Sequence, residues 1–347
     1  MRRKMGLGCL GLLVVLVAGL GALTYLLFAR VPGEYFDSNG VRIHYTVEGA
    51  GEPLILIHGL AANADLNWRR AGVNALLRKD FQVIAFDCRG HGLSDKPHQK
   101  EQYGPELVND VTRLMDHLKI DKAHLAGYSM GGFIALEVAI RHPERVRSVA
   151  LCASGWKDPN GDNDFSSAYR APSKEVQDFV PVFKPAAANA VQAIADAPIA
   201  VDLPPVEPRE RRRDRPDGER RERREKKEKP PKIWYIAMLD PVRDYIGKQM
   251  IDVQAVKALK DSFELMDLDE GRLRANTVPA IGFMGTMDGL KPYGDAMAER
   301  MANLEYVILP GANHITTAMS STFRSRLQQF FLANRSPADT VAATDHP

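Results

Sequence analysis

The sequence predicts an α/β protein: a mostly parallel central sheet with helices on both faces and a helical cap inserted after the sixth strand. Three observations predict it. Six short, continuous apolar runs recur along the chain, as strands buried on both faces require. Helix-period segments separate many of them, which implies crossover connections and parallel pairing. One interval of about 120 residues, between the runs ending near 153 and 284, is too long for a simple connection and reads as an insertion.

The first element is not part of the sheet. Arg2, Arg3 and Lys4 precede residues 5–29, which carry no charge. As a helix that stretch would be about 37 Å long, enough for a hydrocarbon core of about 30 Å. Residues 1–30 therefore read as a single-pass membrane anchor, with the basic end kept in the cytoplasm and the rest of the chain on the other side. The alternative is a cleaved signal peptide and a secreted product. Gly19-Leu20-Gly21 is a poor cleavage site for it, because the apolar run continues past it.

Residues 31–155 read as the first part of the core. "EYFDSNGVRIHYTVEG" is a hairpin with Asn39-Gly40 at its two-residue turn. "PLILIHG" (53–59), "FQVIAFD" (81–87), "KAHLAGY" (122–128) and "RSVALCA" (147–153) are four of the buried runs, and Leu107, Val111, Leu114 and Leu118 share one helix face. Residues 156–274 read as the cap. Its segment 204–232 is proline-flanked and nearly devoid of apolar residues, so it is expected to be disordered or a solvated charged helix. Within it, residues 209–232 hold thirteen basic and seven acidic side chains. Interleaved acids and missing aromatics favour a solvated surface insertion over a nucleic-acid tail. Residues 275–335 read as the second part of the core, with "VPAIGFMG", "EYVILPG" and the closing helix "STFRSRLQQFFL"; residues 336–347 read as a disordered tail.

Three cysteines without a Cys-x-x-Cys pair exclude a disulfide scaffold, and no cluster has metal-ligand spacing. No glycine-rich loop has a nucleotide fingerprint, so no cofactor is expected.

The chemistry gathers around Gly127-Tyr128-Ser129-Met130-Gly131. The pattern is weak alone, but Ser129 follows a predicted strand and precedes a predicted helix, which is the setting of a nucleophile elbow. The Met130 amide, at the helix start, can then point at a developing oxyanion. A serine nucleophile needs a base and an orienting acid. His314 follows the last predicted strand and Asp288 the one before it, so all three loops open at the carboxyl ends of parallel strands. Asp295 is the competing carboxylate. The strand end that could carry the acid elsewhere reads "CASGW" and offers none.

The chain resembles the serine α/β-hydrolases over roughly residues 34–155 and 275–333. Four motifs carry the resemblance in order: His58-Gly59, Asp87-Cys88-Arg89-Gly90-His91-Gly92-Leu93-Ser94, the Ser129 elbow, and Gly311-Ala312-Asn313-His314. The resemblance implies a triad of Ser129, His314 and Asp288, a second oxyanion amide from Leu60, and a structural turn over 87–94. His58 and His91 then read as supports of the oxyanion loop. The family's strand order puts Cys88 and Cys152 three strand spacings apart, too far for a disulfide. Capped esterases, lipases, lactonases and carbon–carbon bond hydrolases share the pattern, whereas epoxide hydrolases and haloalkane dehalogenases place Asp at the elbow.

The expectation is a membrane-anchored serine hydrolase that cleaves a carboxylic ester or related acyl bond of a small-molecule or lipid-like substrate through an acyl-enzyme. Carbon–carbon hydrolysis, lactone opening and acyl transfer are alternatives on the same residues. A catalytically silent binding protein is the alternative from another class.

Overall fold

The computed structural model describes residues 30–156, 252–266 and 269–336 of the 347-residue chain. It begins with the hairpin, β1 (Glu34–Ser38) and β2 (Val41–Glu48), paired antiparallel with Ser38 opposite Val41. Asn39 and Gly40 both have positive φ, 57° and 81°, as a two-residue turn matched to strand twist requires.

The elements then alternate. β3 (Pro53–Ile57) leads through a π-helical turn at Asp65–Arg69 to α1 (Val73–Leu77), and β4 (Gln82–Phe86) to α2 (Pro105–His117). β5 (Ala123–Tyr128) runs directly into α3 (Met130–Arg141), and β6 (Val146–Cys152) ends the first half. After residue 251 come α4 (Val253–Asp261), α5 (Glu270–Arg274), β7 (Ala280–Gly285), α6 (Lys291–Ala298), β8 (Leu304–Leu309) and α7 (Ser321–Ala333). Each expected strand lies within one or two residues of its apolar run.

Among the described residues the sheet has eight strands in the order β1-β2-β4-β3-β5-β6-β7-β8. β2 pairs antiparallel with β4, and from β4 to β8 every pairing is parallel. The strand order reverses around β3, so the crevice at the carboxyl ends of β3 and β5 is a topological switch point, where open α/β sheets bind ligands.

The strand period separates two core layers. Ile55 and Ile57 of β3, with Ile84 and Phe86 of β4, face the layer holding α2 and α3. Leu54 and Leu56, with Val83 and Ala85, face Trp68, Leu77 and the α7 residues Phe323, Leu327 and Phe331. Buried on both sides, β3 to β7 show none of the in–out polarity of a half-exposed sheet.

α4 falls within the range assigned to the cap. Its N-cap Asp252 accepts from the Gln254 and Ala255 amides, both at 3.0 Å. Ala255 and Leu259 join the core layer of α2, and Ser262 Oγ accepts from the Gly104 amide at 2.9 Å. This end of the insertion therefore packs directly on the core. Residues 157–251 of the cap, which include the charged segment 204–232, the anchor residues 1–29 and the tail from 337 lie outside the described residues. Among the described residues no helix is long and apolar enough to cross a membrane.

Candidate active site

Ser129 sits where β5 becomes α3, with φ 53° and ψ −119°. A non-glycine residue there stores about 1–3 kcal/mol of strain, which the surrounding packing must hold. The flanking glycines serve a different need: neither Gly127 nor Gly131 has a positive φ. A side chain at Gly127 would run into the Gly131 carbonyl, and one at Gly131 into the Ile57 carbonyl. The first turn of α3 thus lies against β5 and β3 only because those positions are bare. The Ser129 amide donates to the Cys152 carbonyl at 2.8 Å, and its own carbonyl accepts from the Gly132 amide at 2.8 Å.

His314 arrives on the loop after β8. Its Nε2 lies 2.9 Å from Ser129 Oγ, and its Nδ1 lies 3.0 and 3.1 Å from the two Asp288 oxygens. With Nδ1–H donating to the carboxylate, Nε2 is left to accept the serine proton. Asp288, on the loop after β7, is 5% exposed, and its Oδ1 also accepts from the Leu290 amide at 2.9 Å. Asp295 is occupied elsewhere: Lys291 Nζ lies at 2.5 Å and the Tyr306 hydroxyl at 3.0 Å. The structure brings Ser129, His314 and Asp288 together and leaves Asp295 out.

The loop after β3 is held at several of its amides. Gly59 donates to Asn67 Oδ1 at 2.9 Å, Ala61 to His91 Nε2 at 3.1 Å, and Ala64 to Asp87 Oδ1 at 3.0 Å. Among the described residues the Leu60 and Met130 amides have no acceptor, in contrast to these neighbours. Unpaired amides beside a nucleophile are what an oxyanion hole needs.

The two supporting histidines act as neutral struts. His58 Nδ1–H donates to the Gly59 carbonyl at 2.7 Å, and its Nε2 accepts from the Cys88 amide at 2.9 Å. His91 Nδ1–H donates to the Arg89 carbonyl at 3.1 Å. Burial lowers both pKa values, that of His91 to about 3, so each keeps one acceptor nitrogen at neutral pH. Asp87, fully buried, gathers the hub. Burial pushes its carboxyl up, but hydrogen bonding to His44, the charge of Arg30 and the Leu93 amide more than reverse this and hold it well below the usual range.

Cys88 and Cys152 are both free and buried. Burial pushes both thiols up, and β4 and β6 are three strand spacings apart, so neither a thiolate nucleophile nor a disulfide is built here.

Several supports had no signature in the sequence. The Tyr128 hydroxyl donates to the His314 carbonyl at 2.6 Å and so fixes the histidine loop. Its place inside the elbow motif was the one available hint. Asn67 and Arg30 had none. Arg89 makes a two-pronged pair with the buried Asp110, at 2.7 and 2.6 Å, which ties the 87–94 turn to α2.

Comparison with known proteins agrees with this fold. A family model described as alpha/beta hydrolase fold matches residues 52–195. A 2-hydroxymuconate semialdehyde hydrolase from a Pseudomonas species is 42% identical over 124 residues, which are 35% of this chain and 43% of that protein. The chain spans less than half the length of the curated relatives it matches. Among solved structures, an enol-lactonase from Burkholderia xenovorans has a TM-score of 0.56 at 24% identity, covering 86% of this chain and 100% of that one. A bacterial membrane phospholipase A has a TM-score of 0.59 at 23% identity, covering 97% of this chain and 100% of that one. At these identities the likeness is one of fold. The chain has the α/β-hydrolase fold.

Proposed function

We propose that this α/β-hydrolase-fold chain is a serine hydrolase that cleaves a carboxylic ester or related acyl bond. The observation that carries the reading is the unbroken relay from Asp288 through His314 to Ser129 Oγ, at 3.0 and 2.9 Å. Ser129 Oγ attacks the acyl carbon while its proton passes to His314 Nε2, and the Leu60 and Met130 amides take the developing oxyanion. His314 returns the proton to the departing alcohol. Water then attacks the acyl-enzyme, giving its proton to His314 and freeing the acid and Ser129.

Apolar side chains on the surrounding loops support an acyl or lipid-like substrate. Leu66, Leu93, Met287, Ile315 and Met319 follow the carboxyl ends of β3, β4, β7 and β8 and are exposed. Anchoring through residues 5–29, with the hydrolase domain on the non-cytoplasmic side, is part of the same proposal and rests on the uncharged run behind Arg2, Arg3 and Lys4. Carbon–carbon bond hydrolysis on the same triad is the second reading, favoured by the identity to a 2-hydroxymuconate semialdehyde hydrolase.

Fluorophosphonate labelling of the wild-type chain, absent in Ser129→Ala, tests the nucleophile. An ester series of increasing acyl length, run beside a vinylogous diketone, separates the two readings by relative kcat/KM. Carbonate washing of membranes tests the anchor: release of the uncleaved chain would exclude it.

A further inference from the structure

The geometry points to Arg30 as a positioning residue for the oxyanion loop: its guanidinium bridges the buried carboxylates of Asp65 and Asp87 and so sets the loop that carries the Leu60 amide. The inference rests on the reading of Ser129 as the nucleophile of an acyl-bond hydrolase. Arg30 immediately follows the uncharged run and was assigned with it to the anchor. In the structure it is bonded into the core instead.

Arg30 Nε donates to Asp65 Oδ2 at 3.0 Å, and Arg30 Nη2 donates to Asp87 Oδ2 at 2.6 Å. The Val31 amide adds a third bond, to Asp65 Oδ2 at 3.0 Å. Both carboxylates are buried, at 4% and 0% exposure, so each needs a compensating partner. Asp65 has a second one in Arg69 Nε, at 2.8 Å. Among the described residues Asp87 has otherwise His44 Nδ1, at 3.2 Å, and two backbone amides. Those amides are the link to function. Ala64 donates to Asp87 from the end of the oxyanion loop, and Leu93 donates from the turn whose His91 accepts from Ala61. Asp87 is therefore a shared acceptor for the two segments that flank the Leu60 amide, and Arg30 supplies its full positive charge. A lysine would keep the charge but lacks the planar fork that reaches two carboxylates at once.

Removing the clamp loosens the loop without removing any side chain of the triad or of the exposed apolar set. In the full-length chain, Arg30→Ala is expected to lower kcat by roughly tenfold to a hundredfold, short of the roughly 10²–10³ lost with an oxyanion donor itself, while KM changes little. Rates are expressed per site labelled by fluorophosphonate, which removes any loss of folded protein from the comparison. Guanidinium ion, added below the concentration that unfolds the chain, should restore part of the rate. A per-site kcat within about twofold of wild type overturns the inference. If Arg30→Ala does not fold, Arg30→Lys is measured in the same way; a reduced per-site kcat supports the clamp and an unchanged one overturns it. If wild-type protein takes up no fluorophosphonate at Ser129, the nucleophile reading fails and this inference falls with it, so the two failures are read from different samples.

Discussion

Among the described residues lie two Ser–His–carboxylate relays, one at each end of β5. At the carboxyl end Ser129, His314 and Asp288 are joined at 2.9 and 3.0 Å. Toward the amino end Ser148 Oγ lies 2.8 Å from His124 Nδ1, and His124 Nε2 lies 2.9 Å from Glu52 Oε2. The residue types and distances are nearly the same, yet their settings differ in every respect that nucleophilic chemistry requires. Ser129 stands on a strained junction at φ 53°, whereas Ser148 lies within strand β6, paired in parallel with His124 of β5. The His314 side chain is 37% exposed; that of His124 is fully buried, with Phe81 and Phe331 each 5.5 Å away between ring centroids. The ring nitrogens are also used in reverse, with Nδ1 rather than Nε2 facing the serine. A triad is thus defined by access, backbone strain and adjacent amide donors, and the three side chains without these make a structural hydrogen-bond chain.

The largest effect that separates the two relays is on turnover. Ser129→Ala should lower kcat by roughly 10⁴ or more, because residual rate then comes only from binding and the oxyanion donors. Ser148→Ala should leave kcat unchanged. Steady-state kinetics on the two variants decide the matter, and a large rate loss in Ser148→Ala would erase the distinction. Next in size is the carboxylate. Asp288→Asn should cost about 10⁴ in kcat by leaving the wrong His314 tautomer favoured. Asp295→Asn, which disturbs only the Lys291 and Tyr306 contacts, should cost far less; the reverse order would assign the wrong acid.

Smaller effects belong to the amino-end relay and appear in stability. Burial raises the Glu52 pKa, but bonds from His124 and Ser336 and the Arg147 charge outweigh it and bring the value down to about 2, from 4.5. Burial also lowers the pKa of His124 below 6.5, despite the Glu52 partner. In both cases the unfolded chain binds protons that the folded chain does not, so stability is present above the unfolded pKa and is lost as pH falls. The loss should begin near pH 6.5 for His124 and continue from 4.5 toward about 2 for Glu52. Melting curves of wild type and Glu52→Gln should therefore converge as pH falls through that lower window while kcat at neutral pH stays equal. Curves that stay parallel down to pH 2 would remove Glu52 from the acid response. Ser148→Ala should be the mildest change, about 1 kcal/mol of stability for one hydrogen bond, measured by denaturant melts.

Legibility followed sequence distance. The strands were readable because each is a local apolar run bounded by turn residues. Ser129, His314 and Asp288 were readable because each closes a strand, and parallel strands deliver their carboxyl ends to one face. The supports were not. Tyr128 holds a carbonyl 186 positions away, and Arg30 holds Asp87 from 57 positions away. Such hydrogen bonds leave no period or spacing in the chain. His124 lies in no motif, and nothing local indicates that a glutamate and a serine meet its two nitrogens.

By itself the sequence determined the alternating α/β order, the elbow and the three residues that end at one face, because hydrophobic period and strand direction are local properties of the chain. Tertiary structure alone decided that Asp288 and not Asp295 faces His314, that the Leu60 and Met130 amides find no acceptor among the described residues, and that Arg30 bonds into the core. It also decided which of two chemically alike relays is accessible and stands on a strained backbone, because exposure, backbone strain and distance between remote residues exist only once the sheet has assembled.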